Sequence, residues 1–524
     1  MARAEVKLSA PPPVSSLLAA MLEPDFYPHR PAEVTHQETH ISHLFFAGDL
    51  VYKIKKAVRF SFLDYSTLDR RRFFLQEELR LNRRLAPRVY LEILPISLAN
   101  GRWQLGSQVE PAEYTLVMRR LPAERMLDKL LADDRVTPEM MRSLAEILVP
   151  FHAQAATGDE IGASGHPEAI RSLWDENLSD IRPFVGKLVD AESFQAIADF
   201  GPRFIRKHRA LLERRVRDGR IREVHGDLHC QHVCFAAEGI QIFDCIEFSR
   251  KLRSCDIASE IGFLAMDVEF RGARDLAREF LRRYLDLIDD RDIPVLLPFY
   301  KCHRALVRAK VAALRSGDAS MEAARYLDYA GSVLWEAAKP FLILVCGLTG
   351  TGKSTLARAL GQRLGLPVVS SDATRKALAG SFARQDSLPY ETGIYSPSMT
   401  EATYGRMVEE AERLIGQGEG AVLDGTFQRR AHREAVLRLA AKHAVAVALI
   451  HCQSPEPLVR ERLRKRAAEG RDLSDGRWEI YVAQRSAFEP IGEIGKAQRL
   501  LLHTDAEPAE LVRRAERFLR RILF

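Results

Sequence analysis

The stretch from Leu342 to Thr355, LILVCGLTGTGKST, constrains this chain more than any other. An apolar run leads into Gly347-x4-Gly352-Lys353-Ser354, and a helical-looking LARALGQRLG follows. Glycines at Gly347, Gly350 and Gly352 let backbone N–H groups curl around a phosphate chain. The helix behind them points its positive dipole end at the same anions. Lys353 then reaches the β/γ-phosphates, Ser354 offers its hydroxyl to Mg²⁺, and Thr355 completes the set expected to contact nucleotide. Strand, loop and helix in this order predict an α/β unit built on a parallel sheet that binds a nucleoside triphosphate, with ATP and Mg²⁺ as its cofactors.

The loop begins about two thirds of the way along 524 residues, so a large segment precedes it. A hydrophobic content of 46% with 28% charged residues describes a globular chain. No apolar run approaches the ~20 residues of a membrane span. The apolar SLLAAML near the start follows three prolines and lacks a basic leader, which argues against secretion. Seven cysteines, odd in number and scattered, predict free thiols in a reducing cytoplasm. A net charge of +6 suits an enzyme of anionic nucleotides and is weak evidence for nucleic acid.

Along the chain, residues 1–30 are Pro-rich and read as a loose lead-in with one short helix. From Glu33 the pattern turns β-like, with an Ala47-Gly48-Asp49 turn between two strands. A basic helical stretch covers Thr67–Leu85, strands recur at Glu92–Ile96, Trp103–Val109 and Tyr114–Met118, and residues 137–215 read as helices. A β-rich patch spans Glu223–Phe248, more helix runs to about Trp335, and Ala337-Ala338-Lys339-Pro340 looks like a joint. The expected division is 1–30, 31–336 and 337–524.

In the front part the most pointed residues are His225-Gly226-Asp227-Leu228-His229, between strand-like REV and VCF. Asp244, seventeen residues past Asp227, closes a second strand-like run, GIQIFD. Of two carboxylates so placed, one can accept a proton from an attacking hydroxyl and the other can hold Mg²⁺ on ATP phosphates. Upstream, Lys53 lies in VYKIKK and a glutamate follows on the next helix, an arrangement that orients α/β-phosphates. Lys55 and Lys56 compete with Lys53, two of the three being expected in solvent, and spacing does not separate Glu77 from Glu78. His225, His229, Cys230, His232 and Cys234 are dense enough to suggest zinc, but no distant partner pair completes a site.

VYKIKKAVRFSFLDYSTLDRRRFFLQEELRLNRRLAP, VHGDLHCQHVCF and IFDCIEFSRKLRSCDIASE resemble the aminoglycoside phosphotransferase-related, protein-kinase-like superfamily over about residues 30–330. The resemblance implies an α+β bilobal fold in which Lys53 and Glu78 form the phosphate-orienting pair. It further implies that Asp227 is the base and Asp244 the metal ligand, and that Val117, Met118 and Arg119 are the hinge beside adenine. Arg253 and Asp256 would support the catalytic loop. One departure stands out: the family's metal-ligating asparagine is His232 here. Imidazole is a poor ligand for Mg²⁺. Either His232 has another role, or one metal suffices, or this half is weakly active or inactive.

Behind the phosphate loop, PVVSSD ends in Asp372, with Arg375 three residues on. The Asp can deprotonate an acceptor hydroxyl and the Arg can grip an anionic group on it, although Asp372 also suits a helix cap. A third strand, GAVLDGTF, carries Asp424 near Mg²⁺. Arg462 and Arg466, four apart on a basic helix, share a face that can neutralise charge on a transferred phosphoryl group; a solvated basic helix is the alternative. Residues 340–500 resemble the P-loop kinases that include gluconate-kinase-like, zeta-toxin-like and polynucleotide-kinase-like enzymes.

The expectation is therefore a protein-kinase-like α+β bilobal domain followed by an α/β P-loop domain, each moving the γ-phosphoryl of ATP to a hydroxyl of a small molecule. Two alternatives remain: a nucleotide-gated regulatory protein with a degenerate front half, and a nucleic-acid end kinase. Basic runs without interleaved aromatics count against the second.

Overall fold

The structure is a computed structural model and describes residues 14–60, 63–316, 320–379, 395–469 and 478–524. The chain divides into two compact units, Met1–Phe194 with Gly201–Ala330, and Gln195–Phe200 with Gly331–Phe524.

The front unit starts from six antiparallel strands in the spatial order Val34–Glu38, Ser42–Ala47, Leu50–Lys55, Glu113–Arg119, Tyr90–Ala99 and Arg102–Leu105. Side chains alternate across a strand. Val51, Lys53 and Lys55 therefore share one face, where Val51 packs with Leu75 and Leu116. Tyr52 and Ile54 take the other face and pack with Leu17, Met21 and Tyr27. The segment read as a loose lead-in is thus part of the core from its helix Val14–Met21 onward, because its apolar side chains cover an apolar sheet face. Helix Leu68–Asn82 follows, started by Thr67, whose hydroxyl accepts from the Arg70 N–H at 3.3 Å.

Past the sheet the unit is mainly helical. Helix Ile257–Phe270 is buried continuously from Ile257 to Val268 and packs against helices Arg274–Leu287 and Ile293–Ser316. Two short antiparallel ladders, Ile221–Glu223 with Ser254–Asp256 and Val233–Ala236 with Gly239–Ile242, bracket the loop that carries Asp227.

The rear unit has five parallel strands in the order Val368–Ser370, Ala421–Gly425, Phe341–Cys346, Ala446–Gln453 and Arg499–His503. Every residue of Phe341–Cys346 is buried, as expected of a central parallel strand covered on both faces. Leu342 and Leu344 face one apolar layer and Ile343 and Val345 the other. The phosphate loop leaves the carboxyl end of this strand and enters helix Lys353–Leu364. No helix among the described residues is long and apolar enough to cross a membrane.

Candidate functional site

In the front unit, the Lys53 ammonium lies 2.6 Å from Glu78 Oε1 and 3.5 Å from Asp244 Oδ1. Lys55 is also fully buried, 2.8 Å from Glu78 Oε2 and 2.5 Å from Glu247 Oε1, and Tyr65 donates to that same Glu247 oxygen at 2.7 Å. The expectation that two of the three lysines sit in solvent is corrected: only Lys56 lies outside this network, paired with Glu38. Glu78, rather than Glu77, is the buried partner, and Glu77 turns to Arg80 and Arg253. Burial works against the charge on Lys53, and Glu78, Asp244 and Glu247 more than compensate, holding its pKa well above the usual lysine value.

Met118 is a strand residue with its side chain in the apolar cluster of Val51, Leu116 and Phe243. The N–H groups of Arg119 and Arg120 are tied to the carbonyls of Val89 and Asp49. Of the residues expected at the hinge, Val117 and Met118 are thus sheet core, and Arg119 has its N–H already engaged.

Gly226 has φ 85°, and a Cβ there would sit 2.8 Å from the Arg253 Cα, so only glycine fits between His225 and Asp227. The Arg253 side chain bonds the carbonyls of Ile246 and Glu247, in the segment after Asp244, and the Glu223 carboxylate. Asp256 instead pairs with Arg215 and caps helix Ile257–Phe270. Three further supports carried no motif and were missed. Glu260 accepts from the N–H groups of His225 (2.7 Å) and Gly226 (3.0 Å). Arg304 donates to the Gly226 carbonyl at 3.0 Å, and Arg308 lies 3.3 Å from His229 Nε2.

Asp227 Oδ2 is 3.4 Å from His229 Nε2, and His232 Nε2 is 3.5 Å from Asp244 Oδ2. Burial raises the Asp227 pKa, but His229 and His232 outweigh it and hold the carboxyl well below the usual range. Asp244 is raised by burial and brought down by Lys53 and His232, to about 2. It adopts the left-handed backbone at φ 63°, pinned by Tyr90 Oη, which accepts its N–H, and by Asn82 Oδ1, which accepts the next one. Asp227 and Asp244 therefore face one space through His232. A carboxylate at Asp244 fits a hard cation; the nitrogen beside it does not fit Mg²⁺. Cys230 and Cys234 stay outside the group of Asp227, His229 and His232, so the five-residue zinc cluster is not assembled.

In the rear unit, Gly347 has φ 150°, and a Cβ there would meet the Cys452 carbonyl at 2.5 Å; Gly350 and Gly352 are left-handed. Asp424, in the strand beside the loop's own, is 4% exposed, and its Oδ1 has no hydrogen-bond partner among the described residues. Burial pushes its pKa up, helped by Asp372 and opposed by Lys353 and a Ser354 hydrogen bond. A buried carboxylate oxygen left open beside the Ser354 hydroxyl fits Mg²⁺. Asp372 is not at a strand end; it sits in the first turn of helix Ser371–Ala379, 3.3 Å from Arg375 Nη1. Arg462 reaches the base of the loop, donating to the Thr504 carbonyl at 2.6 Å, with Thr504 Oγ1 also 2.6 Å from the Thr351 carbonyl. The side chain of Arg466 lies outside the described residues. The Thr349 N–H in the loop is bonded by Gln484 Oε1 at 2.9 Å, a contact that no motif announced.

A kinase-like unit with a Lys–Glu pair and two facing aspartates, followed by a phosphate loop on a parallel sheet, defines an ATP-dependent phosphotransferase. The family model described as "Phosphotransferase enzyme family" matches residues 51–299, and the one described as "AAA domain" matches 342–491. An uncharacterized protein of Mycobacterium tuberculosis (strain ATCC 25618 / H37Rv) is 32% identical over 444 residues, covering 84% of this chain and 87% of the relative. An uncharacterized protein of Mycobacterium bovis (strain ATCC BAA-935 / AF2122/97) matches with the same figures. The chain belongs to the family of these mycobacterial proteins. Among solved structures, a gluconokinase from Sinorhizobium meliloti 1021 is 19% identical with a TM-score of 0.28, over 35% of this chain and 94% of that one. A choline/ethanolamine kinase family protein from Mesorhizobium loti is 14% identical with a TM-score of 0.39, over 62% and 95%.

Breaking the buried network is expected to unfold the front unit before it affects anything else. Lys55→Met leaves Glu78 and Glu247 short of a counter-charge and should cost about 3–5 kcal/mol in denaturant unfolding. Glu77→Ala, at a partly exposed pair, should cost less than about 1 kcal/mol.

Asp424 yields a pH dependence. Burial raises its folded pKa above the ordinary carboxylate value of about 4, so its charge is lost earlier on acidification than that of an exposed Asp. Mg²⁺-dependent nucleotide binding by the rear unit should weaken as pH falls through that range. In Asp424→Asn, calorimetry should find binding weak throughout and this pH dependence gone.

Proposed function

We propose that the protein is a bifunctional cytoplasmic kinase that moves the γ-phosphoryl group of ATP to hydroxyls of small molecules, with one site in each domain. The observation that carries this reading is that each unit holds a complete set of its own: Lys53, Glu78, Asp227 and Asp244 in one, Lys353, Ser354, Asp424 and the Asp372–Arg375 pair in the other.

In the front domain Lys53, fixed by Glu78, orients the α/β-phosphates. Asp227 accepts the acceptor hydroxyl's hydrogen bond and takes its proton as the new O–P bond forms and the bond to the β-phosphate oxygen breaks. His229, 3.4 Å from Asp227 Oδ2, keeps that carboxylate ionised and aimed. In the rear domain the loop amides and Lys353 hold the triphosphate, and Arg462, anchored to Thr504, presents positive charge at the base of the loop. Asp372 serves as the acceptor-side base and Arg375 grips an anionic group on the acceptor. Mg²⁺ would be held by Ser354 and Asp424 in the rear domain, and a divalent ion by Asp244 in the front; when bound it neutralises phosphate charge.

His232 favours one rival, a regulatory protein whose front domain binds nucleotide without transferring phosphate. Phosphoryl transfer from labelled ATP into a metabolite extract separates the two. Asp227→Ala should abolish labelling of one product set and Lys353→Ala that of another, each by about 10²-fold or more. If Asp227→Ala changes no product while Lys353→Ala removes them all, the front domain is not an enzyme.

A further inference from the structure

The loop around Asp227 holds three imidazoles, and their hydrogen bonds assign a different task to each. His225 Nε2 donates to the Phe243 carbonyl at 2.8 Å, and its Nδ1 accepts the Asp227 N–H at 3.3 Å. Both its nitrogens are spent on the loop. His229 Nδ1 accepts the Gln231 N–H at 3.3 Å, and its Nε2 lies 3.4 Å from Asp227 Oδ2 and 3.3 Å from Arg308 Nη1. It stands beside the base. His232 is the reverse case: Nδ1 donates to the Asp227 carbonyl at 2.8 Å, so Nε2 is the nitrogen that offers a lone pair when the ring is neutral. That nitrogen lies 3.5 Å from Asp244 Oδ2. The ring is held in place by His229, with centroids 3.9 Å apart, and by Phe243 at 5.9 Å.

A nitrogen donor and a carboxylate oxygen therefore stand at the separation that two ligands of one metal ion adopt, with a backbone carbonyl fixing the imidazole tautomer as outer-shell partners of metal-bound histidines do. Mg²⁺ takes oxygen ligands, whereas imidazole suits borderline first-row transition ions. Beside the phosphate loop of the rear unit, Ser354 and Asp424 offer oxygens.

We propose that the front domain binds its nucleotide with a first-row transition-metal dication held by His232 Nε2 and Asp244, in preference to Mg²⁺, so that one chain carries two phosphate sites of different metal selectivity. The inference rests on the reading of the front domain as a nucleotide site. The imidazole of His232 then sets which ion is used.

The test uses the full chain carrying Lys353→Ala, which weakens the rear site, with Mn²⁺ and the non-hydrolysable analogue AMPPNP as probes. Pulsed electron paramagnetic resonance should show ¹⁴N coupling from one imidazole on the bound Mn²⁺, and His232→Asn should remove it. In competition, the Mn²⁺ over Mg²⁺ preference should fall by about tenfold or more from the parent to His232→Asn. His232→Gln is the second variant and should behave in the same way. Mn²⁺ and AMPPNP binding without nitrogen coupling, or an unchanged preference in both variants, overturns the inference and leaves the nucleotide-site reading standing. Failure of the front domain to bind AMPPNP with either ion overturns both.

Discussion

Glu78 holds its carboxylate between two lysine ammoniums delivered by alternate residues of one strand, and the front unit is organised around that contact. Lys53 reaches onward to Asp244 and Lys55 to Glu247, so strand, helix and the segment after the second ladder are joined through five charges and Tyr65. Charges removed from water are costly to separate and indifferent as sources of net stability. What such a network supplies is position. Glu78 holds the Lys53 ammonium at 2.6 Å, and from there the ammonium stands 3.5 Å from Asp244.

The rear unit solves the same problem with backbone geometry. Its parallel sheet brings the ends of Phe341–Cys346 and Ala421–Gly425 side by side, which sets the phosphate loop against Asp424. The polar atoms that matter are loop amides, a lysine, a hydroxyl and one carboxylate oxygen that has no hydrogen-bond partner among the described residues. The front unit instead sets an imidazole nitrogen beside a carboxylate oxygen.

The phosphate loop was legible because its chemistry is local: glycine conformations, a helix start and a lysine all lie within eight consecutive residues. The Asp227 and Asp244 pair was legible through motif resemblance, since each sits beside a short strand whose pattern shows. Lys55 was misjudged because its second carboxylate, Glu247, is 192 residues away and nothing local announces it. Glu260, Arg304 and Arg308 were invisible for the same reason: they reach the loop from helices whose sequences read simply as buried. Asp372 was placed at a strand end and lies one step further, in a helix turn, because the strand before it has only three residues. The N-terminal helix was taken for a lead-in because its prolines stood out more than its apolar face.

Nucleotide stoichiometry tests the claim of two separate sites most directly. Calorimetric titration of the full chain with AMPPNP should give two bound molecules per chain, falling to one in Lys53→Ala and to one in Lys353→Ala. A single binding event that Lys353→Ala abolishes and Lys53→Ala leaves untouched would contradict it.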